Sequence, residues 1–272
     1  MSPSRRRTFL TGLGLAATSA LAGCAGFAGP TVVENSTQSY SRGDYDAVAV
    51  GNRNGDVRVE PAASDTEEVT VEIRKRGRSQ DALDRVAVES TVEDGLITVE
   101  SVYENQFSGV SVRLVVSVPE GLTVQSARTG NGDVVVDGVV GDVTAATGTG
   151  DAEAVDVDGY VTVESANGDA VARGTTGIAG GSSGNGDVEV EVFALREDVS
   201  LSTGNGEVAA GVAADLDADV VLSVGNGDIE EDVDLTDRSG DRNRVTGRLG
   251  DGGPELTLSS GNGDVRLYPL DG

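Results

Sequence analysis

The chain has 272 residues, 46 Asp and Glu against 20 Lys and Arg, and a formal net charge of −26. It has no His, no Trp and one Cys, which excludes a Ser-His-Asp triad, a His/Cys metal cluster and an intramolecular disulfide. So acidic a surface repels nucleic acid, which is held through Lys and Arg, and it suits life in strong brine, as in a halophilic archaeon.

The N-terminus reads as an address. Arg6 and Arg7 stand just before Phe9 and Leu10, and a short apolar run then leads to Leu21-Ala22-Gly23-Cys24. The pattern resembles a twin-arginine export signal ending in a lipobox. The apolar stretch is too short and too rich in Gly and Ala for a good membrane span. Residues 1–23 are therefore expected to be a removable signal and Cys24 the site of lipidation. That places the protein outside the cell, lipid-anchored to the outer face of its membrane. Residues 24–40 are expected to form a flexible tether, with Asn35 of the sequon Asn35-Ser36-Thr37 a candidate for N-glycosylation.

From 41 to 128 the chain shows strand-like runs near 69–74, 86–91, 96–102 and 110–118. They predict longer strands and hairpins continuous with the repeat region that begins at 129. The stretch "SQDALDRV" suits a single helical turn.

From 129 to 272 one corner recurs: Asn131-Gly132-Asp133, Asn167-Gly168-Asp169, Asn185-Gly186-Asp187, Asn226-Gly227-Asp228 and Asn262-Gly263-Asp264. Asp151 and Glu207 hold the acidic place in two further copies, and from Asp133 the intervals are 18, 18, 18, 20, 21 and 36 residues. Apolar residues alternate with polar ones on both sides, as in Val161/Val163 before a corner and Val188/Val190 after one. Each unit therefore holds two short strands joined at the corner. A hairpin stack is one arrangement of such units. The favoured expectation is all-β, a single-domain parallel β-solenoid of about 18-residue coils with a more irregular N-terminal β region. Ala179 and Gly181 are expected to point inward as its thinnest layer, and 236–253 to loop out before the last coil.

The repeated "GNGDV", the "VPEGLTV" of Val118–Val124 and the closing "LTLSSGNGDVRL" resemble the β-strand-repeat putative adhesin family of exported proteins, over roughly residues 45–270. That resemblance implies a β-helical cell-surface domain with an adhesive role and carries over no catalytic residue.

Three roles for the corner acids compete. Asp133, Asp151, Asp169 and Asp187 are weak candidates for calcium, which needs 6–8 oxygens where one carboxylate per coil is offered. A carboxylate pair could serve a polysaccharide-active enzyme, and Gly180-Gly181-Ser182-Ser183-Gly184 matches a nucleophile-elbow pattern that has no His to work with. The favoured role is a structural turn in a surface protein that binds an envelope, cell-surface or polysaccharide ligand. It needs no cofactor and performs no catalysis.

Overall fold

The computed structural model describes residues 8–9, 31–43, 45–63, 66–104 and 109–270. Two large open sheets enclose one apolar core. Each corner unit places the strand before its corner in the first sheet and the strand after it in the second. Thus Tyr160–Asn167 lies in the first sheet and Ala170–Arg173 in the second, and the next unit continues with Gly177–Asn185 and Val188–Val192. Equivalent strands pair parallel and in register, Ala152 against Ala170 and Ala170 against Val188. Period-two alternation then sends Val161, Val163, Val188 and Val190 into the core with no solvent exposure, while Thr162 and Glu189 stay accessible.

The expectation of a single parallel solenoid requires correction, because both sheets are mixed and form no closed barrel. At one end, Val86–Glu93 runs antiparallel to Leu96–Tyr103 in the first sheet. In the second sheet Glu68–Gly77 runs antiparallel to Ser111–Val118, and Val32–Ser41 antiparallel to Glu68–Gly77. Between them the helix Gln80–Leu83, whose N-cap hydroxyl on Ser79 accepts from the Ala82 amide, inserts the fully buried Leu83 into the end of the core. Residues 32–40, expected within the tether, are thus a strand. At the other end, the expected loop over 236–253 is a hairpin: Thr236–Gly240 pairs with Arg244–Leu249, which runs antiparallel to Ala218–Asn226. A bare parallel stack would present rows of unpaired backbone groups at both ends, and a hairpin covers such an edge with a short connection.

Nor do the units stack in chain order. The last, Glu255–Asn262 and then Val265–Pro269, lies between the unit starting at Val199 and the unit starting at Ala218. Asn262 consequently pairs with both Asn205 and Asn226. The mirror-image exchange occurs at the N-terminal end. There Ala47–Asn52 and Val57–Pro61 sit inboard of the later strands Leu96–Tyr103 and Ser111–Val118.

A second correction concerns the layer at Gly181. A register shift opposite Val161/Thr162 puts Ile178 in the core and turns Ala179 outward. A Cβ on Gly181 would come within 3.0 Å of the Leu201 side chain, so the larger residue of the next layer occupies the room this glycine leaves.

Val161→Asp buries an unpaired carboxylate and is expected to unfold the domain or nearly so. Glu189→Gln loses only a half-exposed ion pair with Arg173 (2.8 Å) and should change stability by a few tenths of a kcal/mol. Thermal unfolding of the two variants checks the register; equal losses would overturn it.

Candidate functional site

The corner stack is the most regular feature of the surface. Gly168 adopts φ +135°, and a Cβ built there would lie 2.1 Å from the carbonyl oxygen of Gly150 in the preceding unit. No side chain fits, on either torsional or steric grounds. The units can therefore approach closely enough for three parallel series of hydrogen bonds.

In the first series a buried hydroxyl donates to the corner glycine carbonyl of the neighbouring unit. Thr147 reaches Gly132 at 2.7 Å, Ser165 reaches Gly150 at 2.8 Å, Ser183 reaches Gly168 at 2.8 Å, and Thr203 reaches Gly186 at 2.7 Å. In the second, asparagine side chains join end to end. Asn185 donates to Asn167 at 3.0 Å, while Asn205 to Asn185, Asn262 to Asn205 and Asn226 to Asn262 each measure 2.9 Å.

The third series answers what the acids do. Oδ1 of Asp133 accepts the backbone N–H of Asp151 at 3.0 Å, and Asp151 accepts that of Asp169 at 2.9 Å. Asp169 accepts from Asp187, and Asp187 from Glu207, each at 2.8 Å. Asp264 accepts from Asp228 at 2.9 Å, repeating the bond between the exchanged unit and its outer neighbour. One oxygen of each of these carboxylates is thereby committed to holding the next unit. Among the described residues no group of three or more His, Cys, Asp or Glu is arranged to hold a metal ion.

Glu207 is the one longer acid in this series. Burial, and after it the charges of Asp187 and Asp264 in the flanking units, holds its carboxyl above the usual range. On the opposite corner Asp142 repeats the device with a cation added. Its Oδ1 accepts the Tyr160 N–H at 2.9 Å and its Oδ2 the Arg196 guanidinium at 2.6 Å. The backbone bond first, and the arginine after it, hold the Asp142 carboxyl below its ordinary value. Arg196 also lies 3.6 Å from the centroid of the Tyr160 ring, a cation–π contact. Sequence reading missed this Asp142–Tyr160–Arg196 group, whose members lie as many as 54 residues apart.

Ser182 is no nucleophile elbow. It lies within the strand Gly177–Asn185, paired with Glu164 and Ser202, where a strand-to-helix turn would be required. Asn35 is exposed on the strand Val32–Ser41. Phe9 belongs to a two-residue strand, Thr8–Phe9, antiparallel to Thr91 and Val92. Arg6, Arg7, Leu10 and Cys24 lie outside the described residues.

No protein-family model and no curated protein matches this sequence. Among solved structures, the chain is similar to a putative cell adhesion protein from Clostridium sporogenes, with 10% identity, 88% of this chain and 100% of that chain covered, and a TM-score of 0.40. It is similar to a putative adhesin from Bacteroides fragilis, at 10% identity, 87% and 97% coverage and a TM-score of 0.38. A putative lipid binding protein from Parabacteroides distasonis shares 16% identity over 87% of this chain and 97% of that one, with a TM-score of 0.45.

Two substitutions test the acid series. Asp151→Asn keeps an acceptor for the Asp169 amide and removes one like charge, so the fold and its stability should be retained or improved. Asp151→Ala removes the acceptor and should cost about 1–2 kcal/mol in denaturant unfolding. At Glu207 the folded state binds the proton more tightly than the unfolded chain. Ionisation therefore costs stability as pH rises through the window between the ordinary Glu value and the raised one. Glu207→Gln should raise Tm at neutral pH, and this advantage should vanish once pH falls below the ordinary Glu value. A Tm difference that persists at low pH would refute the charge explanation.

Proposed function

We propose that this protein is exported, carries lipid on Cys24, and displays a stiff two-sheet β rod on the outer face of the membrane as a structural or adhesive module without catalysis. The observation that carries this reading is the division of labour among positions. The corners and the core repeat from unit to unit, whereas the outward column after the corner does not. In spatial order that column reads Val135, Glu153, Val171, Glu189, Ala209, Arg266 and Glu230. A backbone scaffold held constant beneath a freely varied surface suits binding or spacing. The corner acids, which drew attention as chemistry, serve the scaffold through the backbone amides they accept. The strong negative charge suits solvation in concentrated salt and contact with partners other than nucleic acid.

Cys24→Ser is expected to release the protein into the medium, and replacing Arg6 and Arg7 with Lys to stop export. Fractionation of cells expressing each variant provides the check. Retention of all Cys24→Ser protein with the membrane would defeat the lipoprotein reading. The adhesive role is tested by deleting the gene and measuring attachment and cell aggregation. Unchanged values for both would leave the structural role alone.

A further inference from the structure

The arginines are not spread evenly over the molecule. Arg74 and Arg76 project from one strand of the second sheet, and Arg113 stands directly opposite Arg74 on the strand beside it. All three are exposed. Like charges placed directly across an antiparallel pair destabilise it. Several arginines elsewhere are held by acids: Arg58 by Glu60 and Asp137, Arg173 by Glu189, Arg196 by Asp142, and Arg266 by Asp232. Among the described residues none of Arg74, Arg76 and Arg113 makes an ion pair, although acids outnumber bases by 46 to 20 in this chain. Glu72, two residues from Arg74 on the same face, is the nearby acid on that strand and leaves the patch net positive.

The position of the patch matters as much as its charge. On its other side this strand pairs with Val32–Ser41, with Val33 opposite Arg76 and Asn35 opposite Arg74. Cys24 precedes Val32 by eight residues, and eight residues span at most about 29 Å. The basic patch is therefore the part of the second sheet next to the entering chain, while the acidic repeat units extend away from it.

We propose that Arg74, Arg76 and Arg113 dock on the phosphates of anionic lipid headgroups and so set the rod's orientation against the membrane. The net charge of the chain would forbid such contact. This local patch permits it, since guanidinium groups pair with phosphate through short, charge-assisted and often bidentate hydrogen bonds. Only the closeness of the patch to the bilayer rests on the anchoring reading; the affinity belongs to the arginines.

The test uses Cys24→Ser protein recovered from the medium of a host that does not glycosylate Asn35, so signal, lipid and glycan are all absent. It is compared with the same chain carrying Arg74→Gln, Arg76→Gln and Arg113→Gln. Co-sedimentation is measured with phosphatidylglycerol vesicles and with phosphatidylcholine vesicles in about 0.1 M KCl, where the Debye length is near 10 Å. The expected result is binding to the anionic vesicles alone, weakened roughly tenfold or more by the triple substitution. Thermal unfolding should show the triple variant at least as stable as its parent, because a like-charge pair has been relieved. Equal vesicle binding by both proteins would overturn the proposal. So would binding to dextran sulfate without binding to vesicles, which would make the patch a polysaccharide site. A triple variant that melts lower while binding vesicles equally would also overturn it, since the arginines would then serve the fold. Arginine-dependent vesicle binding together with a Cys24 found unlipidated by mass spectrometry of the cellular protein would support the patch and defeat the anchor alone.

Discussion

Everything in this molecule depends on how closely one corner can approach the next. The Gly168 torsion and the missing Cβ let its neighbourhood rest against Gly150, and the same geometry recurs from unit to unit. Once corners stack, the strands on either side come into register, and register decides which side chains are buried. The hydroxyl, asparagine and carboxylate series then fix that approach at hydrogen-bond distance. A unit alone could not bury its thin Val and Ala layer. Neighbours are required, as is general for stacked repeats.

The acid series has an electrostatic cost that explains its setting. Parallel strands lie about 4.8 Å apart, and two unit charges at that spacing repel by roughly 0.9 kcal/mol in water. The repulsion grows several-fold near a protein surface, to the same order as the roughly 1.5–3 kcal/mol that a hydrogen bond from a backbone amide to a carboxylate returns. In dilute buffer the series is therefore a liability. In about 1 M salt the Debye length falls to near 3 Å and most of the exposed repulsion disappears. Glu207 shows the residual effect, its carboxyl held up by burial and by Asp187 and Asp264 on either side.

The two ends solve a different problem. Parallel stacking leaves an edge at each terminus of each sheet, and an exposed edge invites pairing with another chain. Antiparallel strands close both sheets at the N-terminal end and the first sheet at the C-terminal end, where the second sheet finishes on the short parallel strand Ile229–Glu231. At both ends the chain exchanges the order of neighbouring units. The N-terminal cap gains a second property from this arrangement. Antiparallel pairing brings together Arg74 and Arg113, which are 39 residues apart in the chain.

The single unit is written into the chain. Its 18-residue interval, its alternation and its Asn-Gly-acid corner are enough to place Val161 and Val188 inside, to put the turn at Gly168, and to assign Asp151 a structural task. These are local matters, settled by backbone torsion and by the two-residue period of a strand. The order of the units is settled only in three dimensions. The corners at Asn205, Asn226 and Asn262 present the same groups to a neighbour, so pairing Asn262 with Asn205 satisfies them as well as pairing Asn226 would. The hairpin at 236–249, by covering the outer edge of Ala218–Asn226, leaves the inboard place for the last unit. The outward turn of Ala179, the strand at 32–41 and the arginine patch are likewise beyond the reach of the sequence. Each depends on which distant strand lies alongside, and an interchangeable repeat does not encode that choice.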